Sequence, residues 1–151
     1  PMARADLRDE VHDQVQRSIA AGATLLLGGT LGQGGSHYPA TILDHAVPGM
    51  PAYREELFGP AASILRAGDD DDAVRIANDT DFGLGASVWT RDKARGEAVA
   101  RRLQAGATFV NAIVRSDVRL PFGGTKTSGF GRELAEHGIH EFMNIKTVYV
   151  A

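Results

Sequence analysis

A chain of 151 residues, 43% hydrophobic and 23% charged, has the composition of a soluble globular protein able to bury a core. Its net charge of -3 gives no reason to bind a polyanion, which excludes nucleic acid as an expected partner. No apolar run approaches the roughly 18 residues needed to span a bilayer, and the absence of cysteine excludes a disulfide framework and fits a reducing compartment, the cytoplasm. Leu7, Val11, Val15 and Ile19 recur at intervals of four and predict a helix over Ala5–Ala21, with Asp6 capping its start and Gly22 its end. Thr24–Leu27 reads as a buried strand, Gly28–Gly35 as a glycine-rich loop and Tyr38–Leu43 as a second strand. Pro48, Gly49 and Pro51 predict a connection without regular structure, and Ala61–Leu65 the next strand.

The four acids Asp69–Asp72 admit two readings, a metal-binding run or a helix start. The second is preferred, because acids favour the positive end of a helix dipole and Ala73, Val74, Ile76 and Ala77 follow. Ala86–Thr90 reads as a strand, Asp92 as the start of a helix that ends before Gly106, and Thr108–Asn111 as another strand. Arg132–His140 is expected to be helical. Ile145–Val150 is expected to close the chain as a strand, with Val148 and Val150 on one face and Thr147 and Tyr149 on the other. Strands alternating with helices predict an α/β fold, an open and mostly parallel sheet with flanking helices.

Between Thr108–Asn111 and the last helix lies Leu120–Glu133, L-P-F-G-G-T-K-T-S-G-F-G-R-E. Glycines at this density let backbone approach backbone or ligand closely. A G-x-G-x-x-G phosphate fingerprint is not formed, because Leu134 stands where the third glycine belongs. Taken alone, the stretch is a tight loop leading into a helix. The string P-F-G-G-x-K-x-S-G-x-G-R-E, however, resembles the C-terminal signature of the aldehyde dehydrogenase superfamily. Pro39–Leu43 (P-A-T-I-L), Glu55–Pro60 (E-E-L-F-G-P), Ala77–Leu84 (A-N-D-T-D-F-G-L) and Phe109–Ala112 (F-V-N-A) follow in the family's order, so the resemblance covers nearly the whole chain. The arrangement from Val110 through Ser116-Asp117 to Pro121-Phe122 is most similar to the succinate-semialdehyde branch.

The resemblance implies oxidation of an aldehyde to a carboxylic acid with NAD or NADP. A cysteine thiolate attacks the carbonyl, and a glutamate-activated water releases the acid. It also implies that cysteine, general base and dinucleotide domain precede this segment. Residues 1–143 are then part of a catalytic domain, residues 144–151 are a C-terminal strand that makes a homo-oligomer, and the 151-residue chain is inactive alone. Succinate semialdehyde is the preferred substrate, and a neutral aliphatic or aromatic aldehyde the alternative. A truncated, non-catalytic folding or oligomerising module is the reading from another class.

By the same resemblance, Glu56 accepts hydrogen bonds from the nicotinamide ribose, which suits a group whose two oxygens both accept. Phe58 packs by the nicotinamide, with a core role as its alternative, and Phe122 lines the aldehyde pocket. Ser116 reads the substrate's distal carboxylate. Arg115 and Arg119 flank Ser116 without a family counterpart, and exposure is the default for both. Asn111, Lys126 and Arg132 are expected to shape and fix loops. His137 and His140 lie three apart on a helix and read as a surface pair in preference to a zinc site.

Overall fold

The alternating strand and helix signals become two separate α/β units, residues 1–68 and residues 69–151. The computed structural model describes residues 1–32 and 34–151; Gln33, inside the expected Gly28–Gly35 loop, lies outside the described residues.

In the first unit α1 is Ala5–Ala20, β1 Thr24–Leu27, β2 Thr41–Asp44, α2 Pro51–Arg54 and β3 Ala61–Ser63. β2 is central, antiparallel to β1 with Thr24 opposite Asp44, and parallel to β3 with Thr41 opposite Ala61. The face that α1 buries is Val11, Gln14, Val15 and Ser18, spaced i, i+3, i+4, i+7. The expected four-residue stripe is one edge of this wider face. Val11 and Val15 meet Tyr38, Leu43, Ala46 and Met50 in the core.

Three expectations are corrected in this unit. Asp6 does not cap α1: Arg4 precedes the helix and Asp6, in its first turn, accepts from Arg4 Nη2 at 2.8 Å. β1 forms where expected, yet Leu25, Leu26 and Leu27 are 39%, 54% and 52% exposed, since its faces are not covered by packing among the described residues. The Pro-Gly-Pro connection ends in a short helix. Pro51 takes its first position, where a missing N–H costs nothing.

Asp44, buried at the end of β2, accepts from Arg66 Nε at 3.1 Å, from Arg66 Nη2 and from the His45 N–H at 2.8 Å. The Arg66 guanidinium holds its carboxyl below the ordinary range. A carboxyl depressed in the native state stabilises the fold above its unfolded value, near about 3.9. That contribution is lost as pH falls through the native value. Asp44→Asn is therefore expected to lower the thermal midpoint at neutral pH and to flatten its decline below about pH 4. A pH series of melting curves on both proteins measures this, and parallel acid limbs would refute it.

In the second unit α3 is Asp70–Asn78, β4 Gly85–Val88, α4 Lys93–Ala100, β5 Ala107–Val110 and α5 Ala135–His140. β4 and β5 are parallel, with Gly85 opposite Ala107, and α4 is the crossover packed on both. The acid run is a helix start, as expected. Asp69 accepts from the Asp72 N–H at 2.8 Å, and Asp70, Asp71 and Asp72 pair with Arg95, Arg102 and Arg75. Asp92 caps α4 by accepting from the Arg95 N–H at 3.1 Å.

Among the described residues the strands form a three-stranded and a two-stranded sheet where one was expected; the pairing is mostly parallel, as expected, with β1–β2 the antiparallel exception. α5 starts at Ala135 and not at Arg132, because the Glu133 backbone is already paired with Phe122 in an antiparallel bridge. Among the described residues, Ile145–Val150 pairs with no strand. A strand needs a neighbouring backbone, and the whole segment is exposed, with Val148, Tyr149 and Val150 at 75%, 85% and 86%. No helix among the described residues is long and apolar enough to cross a membrane.

Candidate active site

The candidate residues fall into two groups, Glu56 and Phe58 in the first unit and Ser116 and Phe122 in the second. Glu56 and Phe58 follow α2 on one exposed segment, with Phe58 67% exposed. The adjacent glutamates differ in their surroundings. Glu55 receives Arg17 Nη1 and Nη2, each at 3.1 Å, and Gln14 Nε2 at 3.0 Å. Arg17 first, and Gln14 after it, hold its carboxyl below the ordinary value. Only the backbone carbonyl of Glu56 is engaged, by Gln14 Nε2 at 3.1 Å, and no described residue bonds its carboxylate. Both Glu56 oxygens are thus open to a diol, and the Phe58 ring offers a free apolar face.

In the second unit the glycine loop is anchored from both sides. The Phe122–Glu133 bridge closes it, with N–H···O distances of 2.9 and 2.8 Å. Inside the closure, Arg132 Nη1 donates to the Gly124 and Gly131 carbonyls at 2.9 and 2.6 Å. Lys126 Nζ donates to the Asn78 and Thr80 carbonyls at 2.7 and 2.8 Å, and the Gly83 N–H donates to Ser128 Oγ at 3.0 Å. Thr125 and Thr127 N–H groups donate to Gly83 and Asp81 carbonyls, both at 2.9 Å. The A-N-D-T-D-F-G-L and P-F-G-G-x-K-x-S motifs, separate in sequence, are two sides of one hydrogen-bonded contact. Lys126 and Arg132 fix the loop as expected.

Phe122 is half-buried and borders two hollows. One, of about 890 Å³, includes Leu84, Phe130, Ile139 and Phe142; the other, of about 220 Å³, includes Phe109, Arg115 and Asp117. Ser116 is exposed on the irregular strap between β5 and Phe122 and lines neither hollow. Arg119 Nε and Nη2 grip the two Asp117 oxygens at 2.9 and 2.6 Å and hold that carboxyl well below the usual range. Arg115 makes no hydrogen bond to a described residue, although its charge also favours the ionised Asp117 carboxyl. Asn111, with φ +54°, exchanges two bonds of 2.8 Å with the Thr90 backbone through its side-chain amide. His137 and His140 are on exposed α5, where His140 Nε2 lies 3.7 Å from Glu136 Oε1.

Sequence reasoning missed Gln14, Arg17 and Ser18, which connect α1 to the segment bearing Glu56. Ser18 Oγ accepts from the Ala52 N–H at 2.9 Å. The available signal was the i, i+3, i+4, i+7 face itself, which admits Gln14 and Ser18 beside Val11 and Val15.

Known proteins resemble this chain in sequence and in fold. The chain is 51% identical over 99% of its length to the NAD(P)+ succinate semialdehyde dehydrogenase Sad of Escherichia coli, of which it covers 32%. Among solved structures it resembles an NAD-dependent aldehyde dehydrogenase from Sinorhizobium meliloti, with TM-score 0.94 and 39% identity over 99% of this chain and 30% of that one. It also resembles a succinic semialdehyde dehydrogenase from Streptococcus pyogenes in complex with NADP+, with TM-score 0.93 and 34% identity over 99% of this chain and 33% of that one. The chain spans about a third of the length of the relatives it matches. Residues 1–148 match the aldehyde dehydrogenase family, and the chain belongs to it.

Proposed function

We propose that this chain supplies the ribose contact and part of the aldehyde pocket of a cytoplasmic NAD- or NADP-dependent succinate-semialdehyde dehydrogenase. The observation that carries the reading is the division between neighbouring glutamates: Glu55 is tied to α1, whereas Glu56 keeps both oxygens open. A bound nicotinamide cofactor supplies the hydride acceptor. Glu56 receives the two ribose hydroxyls, Phe58 packs an apolar face beside the ring, and Phe122 keeps water from the pocket wall. Ser116 donates to the distal carboxylate of the substrate. Arg115 is the cation on the same strap open to that carboxylate, since Arg119 is held by Asp117. The chain has no cysteine, so the covalent step takes its thiolate from elsewhere, and the 151 residues alone do not turn over aldehyde.

A hybrid in which this chain replaces the matching third of the E. coli relative tests the assignment. Activity of that hybrid, with none for the chain alone, favours the enzyme reading over a non-catalytic module. A hydroxyl bonded to a charged group is worth roughly 1.5–3 kcal/mol, so Ser116→Ala should cost about ten- to a hundredfold in kcat/KM for succinate semialdehyde. Butyraldehyde, lacking the carboxylate, should lose little. Equal losses would make Ser116 a loop residue, and a preference of the unaltered hybrid for butyraldehyde would overturn the substrate.

Residues 144–151 are further proposed as the homo-oligomer element. They are extended in sequence character, exposed and paired with no strand among the described residues, as a strand awaiting a second copy would be. Val148→Pro removes a ladder donor and should lower the mass of an oligomeric hybrid in light scattering, whereas an unchanged mass refutes it.

A further inference from the structure

Gln14 is a polar side chain inside an apolar contact. It is 6% exposed, on the α1 face that also carries Val15 and Ser18, both fully buried. Its Oε1 is buried with no hydrogen-bond partner. Leaving a buried acceptor unpaired is unfavourable, and an apolar side chain of similar length would avoid it. The amide must therefore justify itself through its nitrogen, and Nε2 donates to Glu55 Oε2 at 3.0 Å and to the Glu56 carbonyl at 3.1 Å.

We propose that Gln14 is a positioning residue for the cofactor contact. By holding the Glu56 carbonyl directly and Glu56's neighbour through its carboxylate, it fixes the direction in which the Glu56 side chain leaves the segment. The inference rests on the assignment of Glu56 to the nicotinamide ribose. Neighbouring residues on the helix support it. Arg17 grips both oxygens of Glu55, and Ser18 holds the Ala52 N–H, so α1 secures the segment at both ends and leaves only the Glu56 carboxylate unengaged. A neutral amide suits the task. It donates to the backbone without drawing the Glu56 carboxylate inward, as a lysine or arginine at the same place would.

Gln14→Met keeps the length and removes both donations. In the full chain, exchange of the Glu55 and Gly59 N–H groups, which are bonded to the Pro51 and Leu57 carbonyls on either side of Glu56, should speed up roughly tenfold or more, with β2 and the first turns of α1 unchanged. In the hybrid enzyme, KM for the nicotinamide cofactor should rise roughly tenfold while KM for the aldehyde stays within about twofold. Val15→Ala, on the same face and fully buried in the core, is the comparison: it should lower the thermal midpoint without moving the cofactor KM. Should Gln14→Met fail to fold, Gln14→Asn keeps the amide but is one methylene too short to reach.

Unchanged exchange at Glu55 and Gly59 overturns the positioning role, whatever Glu56 binds. Faster exchange with an unchanged cofactor KM, in a hybrid that Glu56→Gln impairs, overturns its functional part. If Glu56→Gln itself has no effect, the ribose assignment fails, and the exchange result alone then decides whether Gln14 orders the segment. Equal cofactor KM changes in the Val15 and Gln14 variants reduce Gln14 to ordinary packing.

Discussion

Replacing Gly106 by alanine is expected to unseat the Pro121–Gly124 loop and destabilise the second unit by about 3 kcal/mol or more. A Cβ at Gly106 would lie 1.7 Å from the Gly123 carbonyl oxygen, 2.7 Å from its carbon and 3.1 Å from Gly124 Cα. All three are backbone atoms, so no rotamer change relieves the overlap; either β5 or the loop must move. β5 has little freedom, because the Gly106 and Ala107 N–H groups are bonded to the Gly83 and Leu84 carbonyls at 2.9 and 3.2 Å. The loop is held on its other side by Lys126. For a chain of this size, each kcal/mol moves the thermal midpoint by roughly 2–4 °C, which gives a drop of roughly 6–12 °C or more. A melting curve within about 2 °C of the unaltered protein would show that the loop yields freely, and would remove the close packing as its anchor.

Glu56→Gln is expected to slow hydride transfer in the hybrid enzyme by on the order of a hundredfold or more, while leaving its thermal midpoint nearly unchanged. Each hydrogen bond to a charged acceptor contributes roughly 1.5–3 kcal/mol. In the proposed ribose contact, the amide would remove the charge from both bonds and replace one acceptor by a donor. Stability is spared because the Glu56 carboxylate makes no bond to a described residue, whereas Glu55 carries the contacts to α1. Glu55→Gln is consequently expected to show the reverse profile, with the midpoint affected more than the chemistry. Single-turnover hydride transfer with succinate semialdehyde, paired with melting curves, separates the two. Equal effects of the two substitutions on transfer would refute the distinction between the glutamates.

Legibility of the fold depended on how far each signal reached along the chain. Asp69 and Asp92 were readable as helix starts because the donors they accept from lie three residues away. The Leu25–Leu27 run named a strand but not its covering. Burial of β1 depends on what packs against it, and nothing in a run of leucines carries that information. Arg132–Leu134 looked helical by local pattern and is not, because Glu133 is claimed by Phe122 across eleven residues.

The candidate site divides along the same line. The motif E-E-L-F-G-P pointed to Glu56 by resemblance, and the geometry supplies the physical contrast with Glu55. Gln14 was invisible as anything but a break in an apolar face, since its partners are 41 and 42 residues away. Ser116 and Phe122 were named on the motif, and the structure separates their surroundings, one on an open strap and the other between two hollows.

The anchoring of the glycine loop also sets a schedule for biosynthesis. The bonds from Lys126 to Asn78 and Thr80, and from Gly83 to Ser128, join residues 48, 46 and 45 positions apart. A ribosome adding about 5–20 residues per second makes the first partners several seconds before the second. During that interval the Asn78 and Thr80 carbonyls and the Gly83 N–H must be served by water. α3, with its own cap three residues away, has no such wait. The pocket wall around Phe122 is thus among the last parts of the second unit to order during synthesis. A slow codon or a pause between residues 83 and 125 would lengthen the exposure of Leu84 and β4 to solvent, and to other nascent chains, without changing the final structure.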